Sequence, residues 1–189
     1  METAIWSIIV LMIVAVITFV QVITTFNQLV SERESVKSSW SQIEVQLTRR
    51  HALIPNLVNV AEQYGVQESD AFARIVEARS AALGATGVAE RAQAEGVLGE
   101  MAGNVFVIME AYPSLKSDQH FLNLQSNWSE TENHIAHARV SYNDAVRRYN
   151  SSLGQFPRLL VAAMFLFSKA KYFDANNAIG AAVVTGASI

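Results

Sequence analysis

Few side chains in this sequence could do chemistry, and they fall in two stretches. The first is the triplet Arg49, Arg50 and His51, set within WSQIEVQLTRRHALIPNLV (40–58), where apolar residues otherwise recur at helical spacing. A basic triplet placed there is a solvated face, a ligand site, or a buried charge that needs a partner. The second stretch holds Glu130, Glu132, His134, His137 and Arg139. His134 and His137 stand at i and i+3 with Glu130 one turn before, the best metal-ligand pattern in the chain. A di-metal carboxylate site among helices needs Glu-x-x-His on two helices and two more inward Glu residues, and no Glu-x-x-His occurs. His51 and His120 lack a triad partner at a readable spacing, and there is no serine elbow, P-loop or dinucleotide fingerprint. No catalytic residue, metal or cofactor is assigned, and the chain reads as non-enzymatic.

The elements that position these residues are helices. From Thr3 to Ser31 no residue is charged, and Ile5 to Ile23 is almost wholly Ile, Val, Leu, Met, Ala and Phe. About 20 such residues match a hydrocarbon core of roughly 30 Å, so a membrane anchor marked by Ile5, Ile9, Val16 and Ile23 is expected. A signal peptide fits less well, because a basic n-region and a small-residue cleavage site are missing. Glu2 precedes the span, whereas Arg33, Lys37, Arg49 and Arg50 come after it. That bias predicts a single crossing with the N-terminus outside and the C-terminal domain in the cytoplasm.

Between Met1 and Ile54 there is neither Gly nor Pro, so no breaker separates the anchor from the domain behind it. Val36, Trp40, Ile43, Leu47, Ile54, Leu57, Ala61 and Tyr64 continue at alternating spacings of 3 and 4. Pro55 interrupts this helix, since it removes a hydrogen bond to the His51 carbonyl, and a kink is expected there; Gly65 is a stop signal. Further helices are predicted over 66–83, 89–111 and 117–155. The last carries Phe121, Trp128, Ile135, Tyr142, Tyr149 and Phe156 at sevenfold spacing. In the third, Gly96, Gly99 and Gly103 each weaken the helix, which close packing would offset.

The expected fold is all-α, an N-terminal transmembrane helix continuous with an antiparallel up-down four-helix bundle. The expected division is an anchor over 1–26, the bundle over 27–156 and an apolar C-terminal segment over 157–189. With first and last helices as antiparallel neighbours, and Tyr64 level with residue 119, Arg50 falls beside Glu132 and Glu44 beside Arg139. These four form a predicted structural ion-pair ladder. Arg49 lies off the seam, on a solvated face.

Equal lengths of the first and last helices return the chain to membrane level at Phe156-Pro157. The segment RLLVAAMFLFSKAKYF (158–173) has too few contiguous apolar residues to span. It suits a membrane-interface or subunit contact made by Arg158, Leu159, Phe165, Phe167, Lys169, Lys171, Tyr172 and Phe173, or a cap over the open end of the core. The uncharged stretch AIGAAVVTGASI (178–189) is a free terminus or packs on a neighbouring subunit.

Bulk composition sets limits on partners. In 189 residues, 51% are hydrophobic and 16% charged, too apolar for a freely soluble protein and too polar for one mostly in lipid. A net charge of -3 gives no general attraction for phosphates, which argues against nucleic acid. Absence of cysteine excludes disulfides and thiolate chemistry.

Several linked motifs resemble the LemA family of membrane-anchored helical proteins over residues 26–173. They are Phe26-Asn27-x-Leu29-Val30, Trp40-Ser41-Gln42-Ile43 with Arg49-Arg50, Leu53-Ile54-Pro55-Asn56-Leu57-Val58, Tyr112-Pro113-x-Leu115-Lys116, Glu132-Asn133-x-Ile135 with Ala138-Arg139, Tyr142-Asn143, Tyr149-Asn150 and Phe156-Pro157. The Gly-rich third helix and the tail from Asn176 depart from that pattern. The resemblance implies a cytoplasmic helical bundle on an N-terminal anchor, with no established enzymatic activity. For some members it implies membrane shaping, for others companionship with membrane proteolysis. The expectation is therefore a homo-oligomeric scaffold on the lipid bilayer that organises or remodels the membrane, or else an adaptor for a membrane protein partner such as a protease.

Overall fold

The structure is a computed structural model, and it describes residues 2–66 and 68–174. The stretch 178–189 lies outside the described residues. Six helices and no strand are found among them: α1 (Glu2–Gln63), α2 (Ser69–Gly84), α3 (Val88–Glu110), α4 (Pro113–Lys116), α5 (Gln119–Leu153) and α6 (Arg158–Met164). The all-helical class expected from the sequence holds.

Helix α1 is unbroken for 62 residues: the lack of Gly and Pro before Pro55 allows it, and the helix continues through Pro55 to Gln63. From Ile5 to Val20 every large apolar side chain on it is exposed. Such a surface has no stable place in water, and by length and composition the segment can cross a bilayer. The helix ends in a glycine cap. Gly65 sits in the left-handed region at φ 68, the Gly65 N–H donates to the Glu62 carbonyl at 3.1 Å, and the Val66 N–H donates to that of Ala61 at 3.1 Å. This pair of bonds closes a helix C-terminus only where the reversing residue tolerates positive φ.

The described residues divide into two compact units. The first holds residues 2–39 and 144–170, where Leu29 and Val36 of α1, Ser152 and Leu153 of α5, and Val161 and Ala162 of α6 are buried. The second holds 40–143 and 171–174 and contains the main core. Ile54, Leu57 and Ala61 of α1, Phe72 and Ile75 of α2, Leu98, Val105 and Met109 of α3, and Phe121, Leu124 and Trp128 of α5 form one cluster there, closed at one end by Leu115 of α4. Buried residues of α1, α2, α3 and α5 thus share one core.

Within this unit α1 and α5 are antiparallel. Tyr64 donates to Asp118 at 2.9 Å, Arg50 donates to Glu132, and the Trp40 and Tyr142 rings stand 5.5 Å apart. Fourteen positions separate Tyr64 from Arg50 and also Asp118 from Glu132, so one register carries all three contacts.

The sevenfold aromatic line holds from Phe121 to Tyr149 and fails at Phe156, which is 80% exposed. Helix α5 stops at Leu153, so Phe156 no longer shares its period. Tyr64, at the end of its own line, is half-exposed rather than core.

Candidate functional site

Arg50 lies on the helical line that carries Ile43 and Leu57, so folding buries it along with them. It is 5% exposed. Its Nε donates to Glu132 Oε1 at 2.7 Å and its Nη2 grips the same carboxylate. Its Nη1 donates to Glu95 twice, to Oε2 at 3.1 Å and to the main-chain carbonyl at 3.0 Å. Its Cζ stands 5.6 Å from the centre of the Trp128 ring. Three helices, α1, α3 and α5, therefore meet at one guanidinium, whose planar fork fits this bidentate geometry.

Glu95 also faces His51, with Nε2 and Oε1 2.8 Å apart but not aligned as a straight hydrogen bond. One guanidinium thus faces two carboxylates, and His51 is the remaining ionisable ring within reach. Gly99 lies against the cluster: a Cβ there would stand 3.4 Å from Arg50 Nη2, at the near edge of van der Waals contact. Beside the cluster a cleft of about 270 Å³ opens, its walls including Gly96, Gly99, Ile135, Ala136, Arg139 and Phe173.

Pro55 leaves the His51 carbonyl without its helical partner, and the fold supplies another. Arg79 of α2 donates from Nε to that oxygen at 3.0 Å. A buried carbonyl without a partner is costly, so the gap in α1 becomes a docking point for α2.

Glu44 and Arg139 do not pair among the described residues, and this corrects the second rung of the expected ladder. Both are exposed, and Arg139 lines the cleft instead. Glu44 shares the heptad line of His51, turned about 100° from that of Ile43 and Arg50, so a side chain on it cannot follow Arg50 toward α5. Arg49 is exposed and donates to Glu130 at 3.0 Å. The His134 ring and the Arg49 guanidinium hold the Glu130 carboxyl below the usual carboxylate range. His134 and His137 line a shallow surface cleft, and among the described residues no group of three or more His, Cys, Asp or Glu could hold a metal ion.

Glu95 is the residue that reading the sequence missed. Its signal was present: Ala92, Glu95, Leu98, Ala102, Val105 and Met109 run at spacings of 3 and 4, all buried. A lone carboxylate on such a line has to meet a cation.

After α6 the chain runs extended and is held by two Tyr-Asn pairs of α5. In the first unit the Tyr149 hydroxyl donates to the Ser168 carbonyl at 3.0 Å, and the Asn150 amide takes both main-chain groups of Ala170, at 2.9 Å each. In the second unit the Tyr142 hydroxyl donates to the Lys171 carbonyl at 2.8 Å, and Asn143 takes both main-chain groups of Phe173, at 2.9 and 3.2 Å. Burial pushes both tyrosine hydroxyls up from their ordinary values.

Of the residues assigned to a membrane or subunit contact, Phe173 is misplaced. It is buried, with its ring 5.7 Å from Trp40, because the Asn143 clamp turns it inward. Phe167 is half-buried beside Phe26 and Arg158 is half-buried, while Leu159, Phe165, Lys169, Lys171 and Tyr172 are exposed. Ile5, Ile9, Val16 and Ile23 are all exposed on α1.

A model of the LemA family matches residues 39–185, a stretch that holds every member of the Arg50 cluster and both Tyr-Asn pairs. The chain belongs to the LemA family. It is 24% identical over 205 aligned positions to magnetosome proteins MamQ 1 and MamQ 2 of Paramagnetospirillum magneticum, a match covering 93% of this chain and 75% of theirs. Magnetosome protein MamQ of Magnetospirillum gryphiswaldense is 23% identical, over 91% of this chain and 74% of that one. With its exposed apolar helix, this LemA-family chain is a membrane-associated protein.

Proposed function

We propose that this LemA-family protein is a non-enzymatic, membrane-anchored scaffold that self-associates and organises or remodels a bacterial inner membrane. One observation carries the reading: every large apolar side chain of α1 from Ile5 to Val20 is exposed, on an unbroken helix long enough to cross a bilayer. The names of its relatives, magnetosome proteins, support it. In this reading the Arg50 cluster is structural, fixing which helices pair and in what register. Arg33, Lys37 and Arg49 favour a cytoplasmic domain with the N-terminus outside, which protease accessibility in sealed vesicles tests.

Particle imaging of the full-length protein in nanodiscs tests the scaffold. Ordered oligomers are expected, and strictly monomeric particles at high concentration overturn it. An adaptor reading is favoured by a separate observation, the exposed Val76 and Leu83 on α2 and Val97 and Val107 on α3. Site-directed crosslinking from those positions then captures one heterologous membrane protein, whereas the scaffold gives copies of the chain itself.

A further inference from the structure

In the first unit, α6 descends beside α1 toward the apolar run. At its head, Arg158 donates to Glu32 at 3.4 Å and to Gln28 at 3.0 Å. At its foot, the Phe165 ring is 4.7 Å from that of Phe26, three residues beyond Ile23. The six positions from Glu32 to Phe26 rise about 9 Å, close to the length of a seven-residue helix. The chain then reverses at Leu166, and Tyr149 and Asn150 bind it on its way back at Ser168 and Ala170.

This hairpin turns Val161 and Ala162 inward and its large apolar residues outward. Phe156, Leu160, Met164 and Leu166 are all exposed, Leu166 to 89%. Leu166 also has φ 55, a left-handed conformation that Gly or Asn adopts at lower cost. A turn facing water has no use for leucine there, and a monomeric soluble surface rarely gathers such a patch. Above the tip stand cations: Arg33, whose Cζ lies 5.4 Å from the Phe167 ring centre, and the exposed Lys169. The neighbouring carboxylate Glu32 pairs with Arg158, and Glu34 accepts from Lys37 at 2.7 Å while standing 3.9 Å from Arg33, a looser and exposed contact.

We infer that the hairpin 156–166 is a second membrane contact, its tip of Leu160, Met164, Phe165 and Leu166 entering the headgroup and upper acyl region beside the α1 span while Arg33 and Lys169 meet anionic headgroups. The occupant is lipid because the apolar patch continues at Phe26 from the apolar run of α1, which places both at one level. Entry of about 5 to 10 Å matches an element too short to cross. The inference rests on α1 being the span.

The chain has no cysteine, so single-cysteine variants can carry one spin label each. Leu166→Cys and Met164→Cys are compared with Val14→Cys on the apolar run and Val107→Cys on α3. Each is made in the full chain in phosphatidylcholine–phosphatidylglycerol vesicles, and collision with oxygen and with a nickel chelate is read. The expected result is an oxygen-to-nickel ratio at 164 and 166 raised above that at 107 and below that at 14. A ratio at 166 equal to that at 107, with 14 deep in lipid, overturns the inference and leaves the anchor standing. Low collision with both reagents at 166 also overturns it, since a second protein copy then covers the tip. An aqueous reading at 14 removes the anchor and the inference together.

Discussion

The Arg50 cluster and the Tyr-Asn clamps both hold helix α5 to another part of the chain, by opposite means. Around Arg50, charged side chains meet charged side chains, so each partner has to be one particular residue at one height. Along 168–173, amides and hydroxyls meet main-chain groups, so spacing is specified and side-chain identity is not. Buried ion pairs set register more than they add stability, whereas main-chain bonds order a segment that could not otherwise be held. The first region therefore fails if one residue changes, and the second fails by loosening locally.

Arg50→Met separates the two most strongly. It leaves Glu95 and Glu132 without their cation, and the expected loss is about 3 to 5 kcal/mol in chemical denaturation. Adding Glu95→Gln should return part of it. No recovery in the double variant would mean that Arg50 acts through packing on Trp128 instead. Asn150→Ala removes two bonds to Ala170 and should cost about 1 to 3 kcal/mol. Amide exchange should rise at 168–173 and stay unchanged around Arg50; a rise at both would erase the contrast.

Arg79→Leu strips the donor from the His51 carbonyl, with an expected loss of about 1 kcal/mol. Pro55→Ala in that background supplies a main-chain N–H and should restore stability, while a further loss would show that Pro55 itself is required. The smallest effect concerns the exposed pair Tyr64–Asp118. Bonds from the Phe121 N–H and the Tyr64 hydroxyl hold the Asp118 carboxyl below its ordinary value. Its contribution is thus present above the ordinary aspartate range and disappears as pH falls through the lowered value. Tyr64→Phe should flatten that acid limb slightly in a thermal melt followed against pH.

Much of the fold was legible because helices write their contacts in short periods. The unbroken α1, its stop at Gly65 and the neighbouring of α1 and α5 all come from local spacing. Glu95 lies on the buried line of α3, but the cation it meets, Arg50, is 45 positions away, and spacing within one helix does not name that partner. Phe156 kept the sevenfold beat in the sequence, yet the helix ended before it. The sevenfold line marks Tyr142 and Tyr149 as core, but the partners of Asn143 and Asn150 stay open in the sequence, because an asparagine that reads main chain leaves no mark on the sequence it reads. Glu44 and Arg139 show the same limit: level in height, they differ in rotation, which counting along one line does not reveal.

One consequence of Pro55 reaches beyond its own helix. A nitrogen that carries no hydrogen leaves an oxygen facing α2, and a single guanidinium on α2 answers it. If α2 slid by one turn, about 5.4 Å, the guanidinium would lose that oxygen and meet only self-satisfied backbone. A missing proton in one helix thereby sets the height of another, much as a notch positions a key.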